Sequence, residues 1–193
     1  MIRAIIFDCF GVLYADGGLL YYSSRLANYD ELQPRISELD AQADGGWISE
    51  AEHDVQIAEL TGIPHTEIVR NLRQKRARNT ELMRYIATLR TGYKVGMLSN
   101  VSTGAMDRFF TQHERDTLFD AVVLSCDIHH VKPEPEMYEA IAARLGVAPQ
   151  ECIMVDDREV NCDGARAVGM HAVLYQTNAQ VQREITEVLA ANA

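Results

Sequence analysis

Five short stretches constrain the fold most. They are "IRAIIF" (2–7), "KVGMLS" (94–99), "AVVLS" (121–125), "CIMVD" (152–156) and "HAVLY" (171–175), each apolar without alternation. A strand with one wet face alternates polar and apolar residues. A strand that is apolar throughout has both faces covered, as in a parallel sheet lying between helices. The segments between the runs supply those helices. Leu82, Ile86 and Leu89 recur at helical spacing, as do Met137, Ile141 and Leu145, and then Val181, Ile185, Val188 and Leu189. Strand and helix alternate from residue 80 onward, which predicts an α/β fold with a doubly wound parallel sheet.

Residues 15–79 break the alternation, for they hold no strand-like run. Leu32, Ile36, Leu39 and Ala43 mark one amphipathic helix. "SEAE" (49–52) has the Ser-x-x-Glu form of a capping box, and Gly62 with Pro64 ends the helix it opens. Thr66 is placed to cap a third helix through Ile68, Val69 and Leu72. A chain of 193 residues suits one core with an insertion. Residues 1–14 and 80–193 are therefore expected to form the α/β core, and 15–79 a small helical cap inserted after the first strand.

A formal charge of −10 leaves no general basic field of the kind that attracts nucleic acid. "RNLRQKRARN" (70–79), with five cations and no acid, is either a solvated helix face or a rim that attracts anionic substrates. No apolar stretch reaches the ~20 residues needed to span a bilayer. The chain opens directly on a strand-like segment without a signal-peptide pattern. Cys9, Cys126, Cys152 and Cys162 form no C-x-x-C pair and read as reduced thiols. These features predict a cytoplasmic protein with no membrane and no nucleic-acid partner.

In open parallel sheets, ligands bind outside the carboxyl ends of the strands. The first end presents Asp8, with Gly11 permitting a turn. The second presents Ser99 and Asn100. Lys132 follows the third, in "HHVKPEPEMY", where Pro133 is expected to open the next helix and set Lys132 near its positive end. The fourth presents Asp156 and Asp157. Each has an ordinary structural reading alone, such as helix cap or turn. Three carboxylates gathered at one sheet edge would repel unless some were protonated or a cation sat among them. A divalent ion and Lys132 answer that difficulty.

This order of motifs resembles the haloacid dehalogenase-like hydrolase superfamily over nearly the whole chain. The strongest local match is "DDREVNCDGARAVGM" (156–170), an acidic pair followed by Asn161 and Gly-Ala-x-x-x-Gly. The insert at 15–79 lies where the small helical-cap subgroup carries its cap. The resemblance implies that Asp8 is a nucleophile forming a covalent aspartyl intermediate. It implies that Ser99 and the backbone N–H of Asn100 hold phosphoryl oxygens, and that Lys132 neutralises charge on nucleophile and phosphate. Mg²⁺ would be held by Asp8, Asp156, Asp157 and the backbone carbonyl of Phe10. Oxygen ligands suit that hard cation, and a covalent intermediate divides hydrolysis into two easier steps.

Phe10 departs from the pattern. Most phosphatases of the superfamily carry there a second Asp, which protonates the leaving group and then activates water. Losing such a group typically costs ~10²–10⁴-fold. An aromatic at this place resembles the superfamily's 2-haloacid dehalogenases, whose halide leaving group needs no proton. Those enzymes work without metal and lack the acidic pair that this chain has at 156–157. The expected function is a Mg²⁺-dependent phosphatase of a small phosphorylated metabolite. The alternatives are a C–X hydrolase, or a weakly active or inactive member kept as a binding protein. His129 and His130 are either substitute proton donors or an exposed loop pair. "YYSSR" (21–25) and "DGGWIS" (44–49) either line a substrate pocket or form the insert's own small core.

Overall fold

The computed structural model describes residues 1–15, 18–72 and 76–192, the side chains of Gly18, Leu19, Leu20 and Leu72 excepted. Part of the cationic run, Arg73, Gln74 and Lys75, lies outside the described residues.

Five strands form one all-parallel sheet: β1 (Ala4–Phe7), β2 (Lys94–Ser99), β3 (Ala121–Leu124), β4 (Cys152–Asp156) and β5 (His171–Leu174). Their order is β3-β2-β1-β4-β5. The central strand is thus the one that begins the chain. Alternate side chains of each strand feed two cores. Ile5, Phe7, Val95, Met97, Ile153 and Val155 pack on one face beneath α5 (Thr80–Leu89) and α10 (Asn178–Ala191). Ala4, Ile6, Leu98, Val123, Cys152 and Met154 pack on the other, beneath α8 (Pro135–Leu145) and α9 (Glu159–Ala167). Covering on both faces is why these runs lack alternation.

Between β1 and α5 lie four helices: α1 (Gly18–Arg25), α2 (Tyr29–Asp44), α3 (Glu50–Thr61) and α4 (His65–Leu72). They share a small core of their own, built on Tyr22, Ile36, Leu39, Ile57, Ile63 and Ile68. Tyr22 of "YYSSR" therefore packs inside the helices, whereas Trp47 of "DGGWIS" is exposed. The capping box forms as expected: the Ser49 side chain accepts from the Glu52 N–H, and the Glu52 carboxylate from the Ser49 N–H. Helix α3 ends at Gly62, in the left-handed conformation.

Two local expectations need correction. Helix α4 begins at His65, so Thr66 lies within it. The carbonyl of Pro64 receives its first N–H groups, from Glu67 and Ile68. Helix α8 opens on Pro135, with Glu134 at the cap position, so Lys132 does not sit at its first turn. Either proline of "KPEPE" satisfies the helix-start rule, and the local sequence does not choose between them. Among the described residues, four helices arise without a marked sequence pattern: α1, α6 (Gln112–Leu118), the short α7 (Ser125–Ile128), which follows β3 directly, and α9.

Candidate active site

Asp8 is the first residue past β1, and its N–H donates to the Val155 carbonyl at 2.9 Å, which carries the sheet ladder one step further. Its carboxylate is buried. Oδ1 accepts from the Cys9 N–H at 2.7 Å and lies 2.8 Å from the Lys132 ammonium. The same ammonium lies 2.6 Å from Asp156 Oδ2. One lysine thus ties the ends of β1 and β4 together. Its own backbone is clamped by Asn100 at the end of β2. Lys132 N–H donates to Asn100 Oδ1 at 2.8 Å, and Asn100 Nδ2 donates to the Lys132 carbonyl at 3.1 Å. Ser99, fully buried beside it, directs its hydroxyl to the Asn100 carbonyl at 3.4 Å.

The remaining oxygen of Asp156 is also held. Oδ1 accepts from Asn161 Nδ2 at 2.9 Å and from the Arg158 N–H at 3.0 Å. Asn161 is fixed in turn by Tyr138, whose hydroxyl donates to its carbonyl at 2.7 Å. Helix α9 approaches closely because residue 164 is glycine. A Cβ there would stand 2.8 Å from Pro133 and from the Tyr138 hydroxyl. Asp157 is packed against the first turn. A Cβ on Gly11, whose φ is +91°, would fall 2.1 Å from Asp157 Oδ2. Gly11 is therefore required twice, for its backbone and for the space it leaves.

The structure brings Asp8, Asp156 and Asp157 together, with one oxygen of each within 4.8 Å of the others. Three carboxylates face one ammonium. Burial pushes the Asp8 carboxyl up, Lys132 pulls it down, and Asp156 and Asp157 push it up again, to about 8. Burial works against the charge on Lys132, but Asp156 and Asp8 more than reverse this and hold its proton firmly. The site thus carries more negative charge than its lysine balances. Its donors are hard carboxylate oxygens, which fits a divalent cation of the Mg²⁺ type. Burial and the Asp8 charge raise the Cys9 thiol well above its ordinary value, which suits packing rather than thiolate chemistry.

The Phe10 side chain packs against another ring and a guanidinium. Its ring meets Phe109 edge to face at a centroid distance of 4.9 Å, and Phe109 meets Tyr14 likewise at 5.1 Å. The Arg76 guanidinium lies over the Phe10 ring, 5.1 Å from its centre. Arg78 instead pairs with Glu114 and covers Tyr14 and Phe110. The cationic run is therefore not a simple solvated face. His129 and His130 are engaged elsewhere. His129 Nδ1 lies 2.8 Å from the Gly45 carbonyl, and His130 Nδ1 lies 2.6 Å from Glu134.

The model of the haloacid dehalogenase-like hydrolase family matches residues 2–169, and the chain belongs to that family. It is 36% identical over 106 residues to a phosphatase, MT3486, of Mycobacterium tuberculosis, a match covering 53% of this chain and 48% of that relative. The chain thus spans about half of that relative's length. It is 29% identical over 174 residues to the sesquiterpene phosphatase astK of Aspergillus oryzae, with 87% of each chain covered. In fold it is similar to a family enzyme of Bacteroides thetaiotaomicron solved with magnesium and inorganic phosphate. That likeness has a TM-score of 0.72 and 22% identity over 92% of this chain and 96% of the other. The protein is a hydrolase of this family with a Rossmann-like α/β core. Among the described residues, no helix is long and apolar enough to cross a membrane.

Proposed function

We propose that this protein is a Mg²⁺-dependent phosphatase of a small phosphorylated metabolite, acting through an aspartyl-phosphate on Asp8. The observation that carries the reading is the Lys132 ammonium held between Asp8 Oδ1 and Asp156 Oδ2, with Asp157 completing the carboxylate cluster. With Oδ1 held by two donors, Oδ2 is the oxygen that attacks phosphorus. Lys132 favours the ionised form of Asp8 for that attack and balances charge on the phosphoryl group. Ser99 and the Asn100 N–H receive phosphoryl oxygens. Asp8, Asp156, Asp157 and the Phe10 carbonyl would hold Mg²⁺, which when bound offsets the charge of two anions brought together. Residues 15–79 serve as a cap over this edge of the sheet. Two relatives that bear the name phosphatase support phosphoryl transfer. Four buried, unpaired cysteines suit a reducing cytoplasm.

One observation favours a C–X hydrolase instead, the aromatic Phe10 where an acid would serve a phosphatase. The acidic pair at the end of β4 argues against it, because a halide displacement needs no such charge. One panel separates the readings. Phosphate release from small monoesters is expected with Mg²⁺, and its loss in EDTA and in Asp8→Asn. A full rate in EDTA, or chloride release from 2-chloro acids without metal, would overturn the phosphatase reading. No turnover of any probe would leave a binding protein.

A further inference from the structure

We propose that Asp44, on the inserted helices, is the general acid and base that position 10 lacks. The inference rests on the phosphatase reading and supplies the proton that reading leaves unassigned.

Among the described residues, other candidate proton donors are engaged. Lys132 is held by Asp8 and Asp156 together. The Tyr14 hydroxyl donates to the Phe109 carbonyl and that of Tyr138 to the Asn161 carbonyl, while His129 meets Gly45 and His130 meets Glu134. Asp44 differs in its placement. It is the last residue of α2, and that end is fastened to the segment leading from β3 to Lys132. Ser125 Oγ donates to the Asp44 carbonyl at 2.5 Å, and His129 Nδ1 lies 2.8 Å from the next carbonyl, that of Gly45. Gly46 follows closely, with room for its hypothetical Cβ only 3.2 Å from the Cys126 carbonyl. The same segment ends at the lysine that touches Asp8.

The Asp44 carboxyl is half-buried and feels two cations of the core, Lys132 and Arg158. Lys132 touches the nucleophile, and Arg158 follows Asp157 in the chain. The carboxyl is thus within electrostatic reach of both cations at the carboxyl edge of the sheet. Asp40 faces it from its own helix and His53 from α3. Burial, then Asp40, push it up, while His53, Lys132 and Arg158 pull it down, leaving it at about 7. A group poised near the working pH exists in both forms and serves best as acid and base in turn.

The step balances as follows. Asp8 Oδ2 forms a bond to phosphorus as the bond from phosphorus to the leaving oxygen breaks. Protonated Asp44 gives its proton to that oxygen, directly or through one water, and the alcohol departs. Asp44, now a carboxylate, takes a proton from water as the water oxygen attacks phosphorus. The Asp8–phosphorus bond breaks, and phosphate, free Asp8 and protonated Asp44 are restored.

Phenyl phosphate and 4-nitrophenyl phosphate, each with Mg²⁺, test this. The first leaving group needs a proton, whereas the second is stable as an anion. Asp44→Asn is expected to lower kcat/KM, which reports the step up to the aspartyl-phosphate, by about 10²-fold for phenyl phosphate and little for 4-nitrophenyl phosphate, while kcat falls on both because they share the water-activating step. The fall in the phenyl phosphate rate above about pH 7 should vanish in the variant. Equal losses of kcat/KM on both probes in a folded variant, or an unaltered pH profile, would overturn the proposal. If Asp44→Asn fails to melt cooperatively, Asp44→Glu replaces it. A shifted alkaline limb then supports the role and an unshifted one refutes it. A wild type with no Mg²⁺-dependent release from either probe removes the phosphatase reading and this inference with it, whereas an active, unchanged Asp44→Asn removes the inference alone.

Discussion

Gly11→Ala offers the sharpest test of how the site is packed, because the obstacle is a single carboxylate. The added methyl would lie 2.1 Å from Asp157 Oδ2, 2.2 Å from Cγ and 2.7 Å from Oδ1. Ordinary contact begins at 3.4 Å, so Asp157 has to retreat by about 1.3 Å, the difference between that value and the closest approach. Alanine at a φ of +91° also carries backbone strain of roughly 1–2 kcal/mol. Overpacking adds roughly 1–3 kcal/mol. Together these lower the melting temperature by about 4–20 °C, at ~2–4 °C per kcal/mol for a chain of this size. A misplacement of about 1 Å near reacting groups costs roughly 10²-fold in rate. Gly62→Ala is the control. Its φ is +70°, yet a Cβ there meets nothing within 4 Å. It should lose about 2–8 °C from strain alone and keep its phosphatase rate and its stabilisation by Mg²⁺. Melting curves with and without Mg²⁺, together with rates on 4-nitrophenyl phosphate, compare the two variants. A Gly11→Ala protein that matches Gly62→Ala in both would show that Asp157 is not confined by the first turn.

Lys132→Met removes the ammonium between Asp8 and Asp156 and leaves buried carboxylates without their cation. In EDTA it should lose roughly 3–5 kcal/mol in urea unfolding, and in Mg²⁺ its phosphate release should fall to background. Unchanged unfolding would mean that the pair contributes nothing net. A second expectation concerns pH. Burial pushes His53 down, but its hydrogen bond and charge interaction with Asp40 reverse this, and Asp54 adds to it, so the net shift is upward. A folded value above the unfolded 6.5 stabilises most below that pH and fades as pH rises through the folded value. The stability gap between wild type and Asp40→Asn should therefore be widest in mildly acidic buffer and shrink in alkaline buffer. A gap that widens with pH would refute the assignment.

The sheet was legible because its strands are covered on both faces. Ile6 and Phe7 point to opposite cores, and no polar alternation interrupts the run. Strand ends were legible for the same reason, since each run stops where polar chemistry begins: Asp8, Ser99 and Asp156. Helix starts were less so. Pro133 and Pro135 both satisfy the local rule; the helix opens on Pro135, while Pro133 lies against Gly164. The contribution of the insert was not legible. Arg76 reaches the Phe10 ring from a run that also reads as a solvated face, and Asp44, the last residue of α2, opens "DGGWIS", a stretch that reads equally as pocket lining or small core. The position of Asp44 is set by contacts between the end of α2 and the segment after β3, above all Ser125 and His129, which no periodicity announces.

Phe10 gains a consistent meaning from those contacts. An acid at position 10 would ride on the same turn as the nucleophile and hold its geometry whatever the insert did. A ring there packs on Phe109 of the core and beneath Arg76 instead, joining the first turn to the far end of the insert. With the proton carried by Asp44, acid catalysis depends on the α2 end being seated on Ser125 and His129. Nucleophile and proton donor then belong to different parts of the fold. A leaving group that needs no proton would escape that dependence, and one that needs a proton would be cleaved only when the insert is in place.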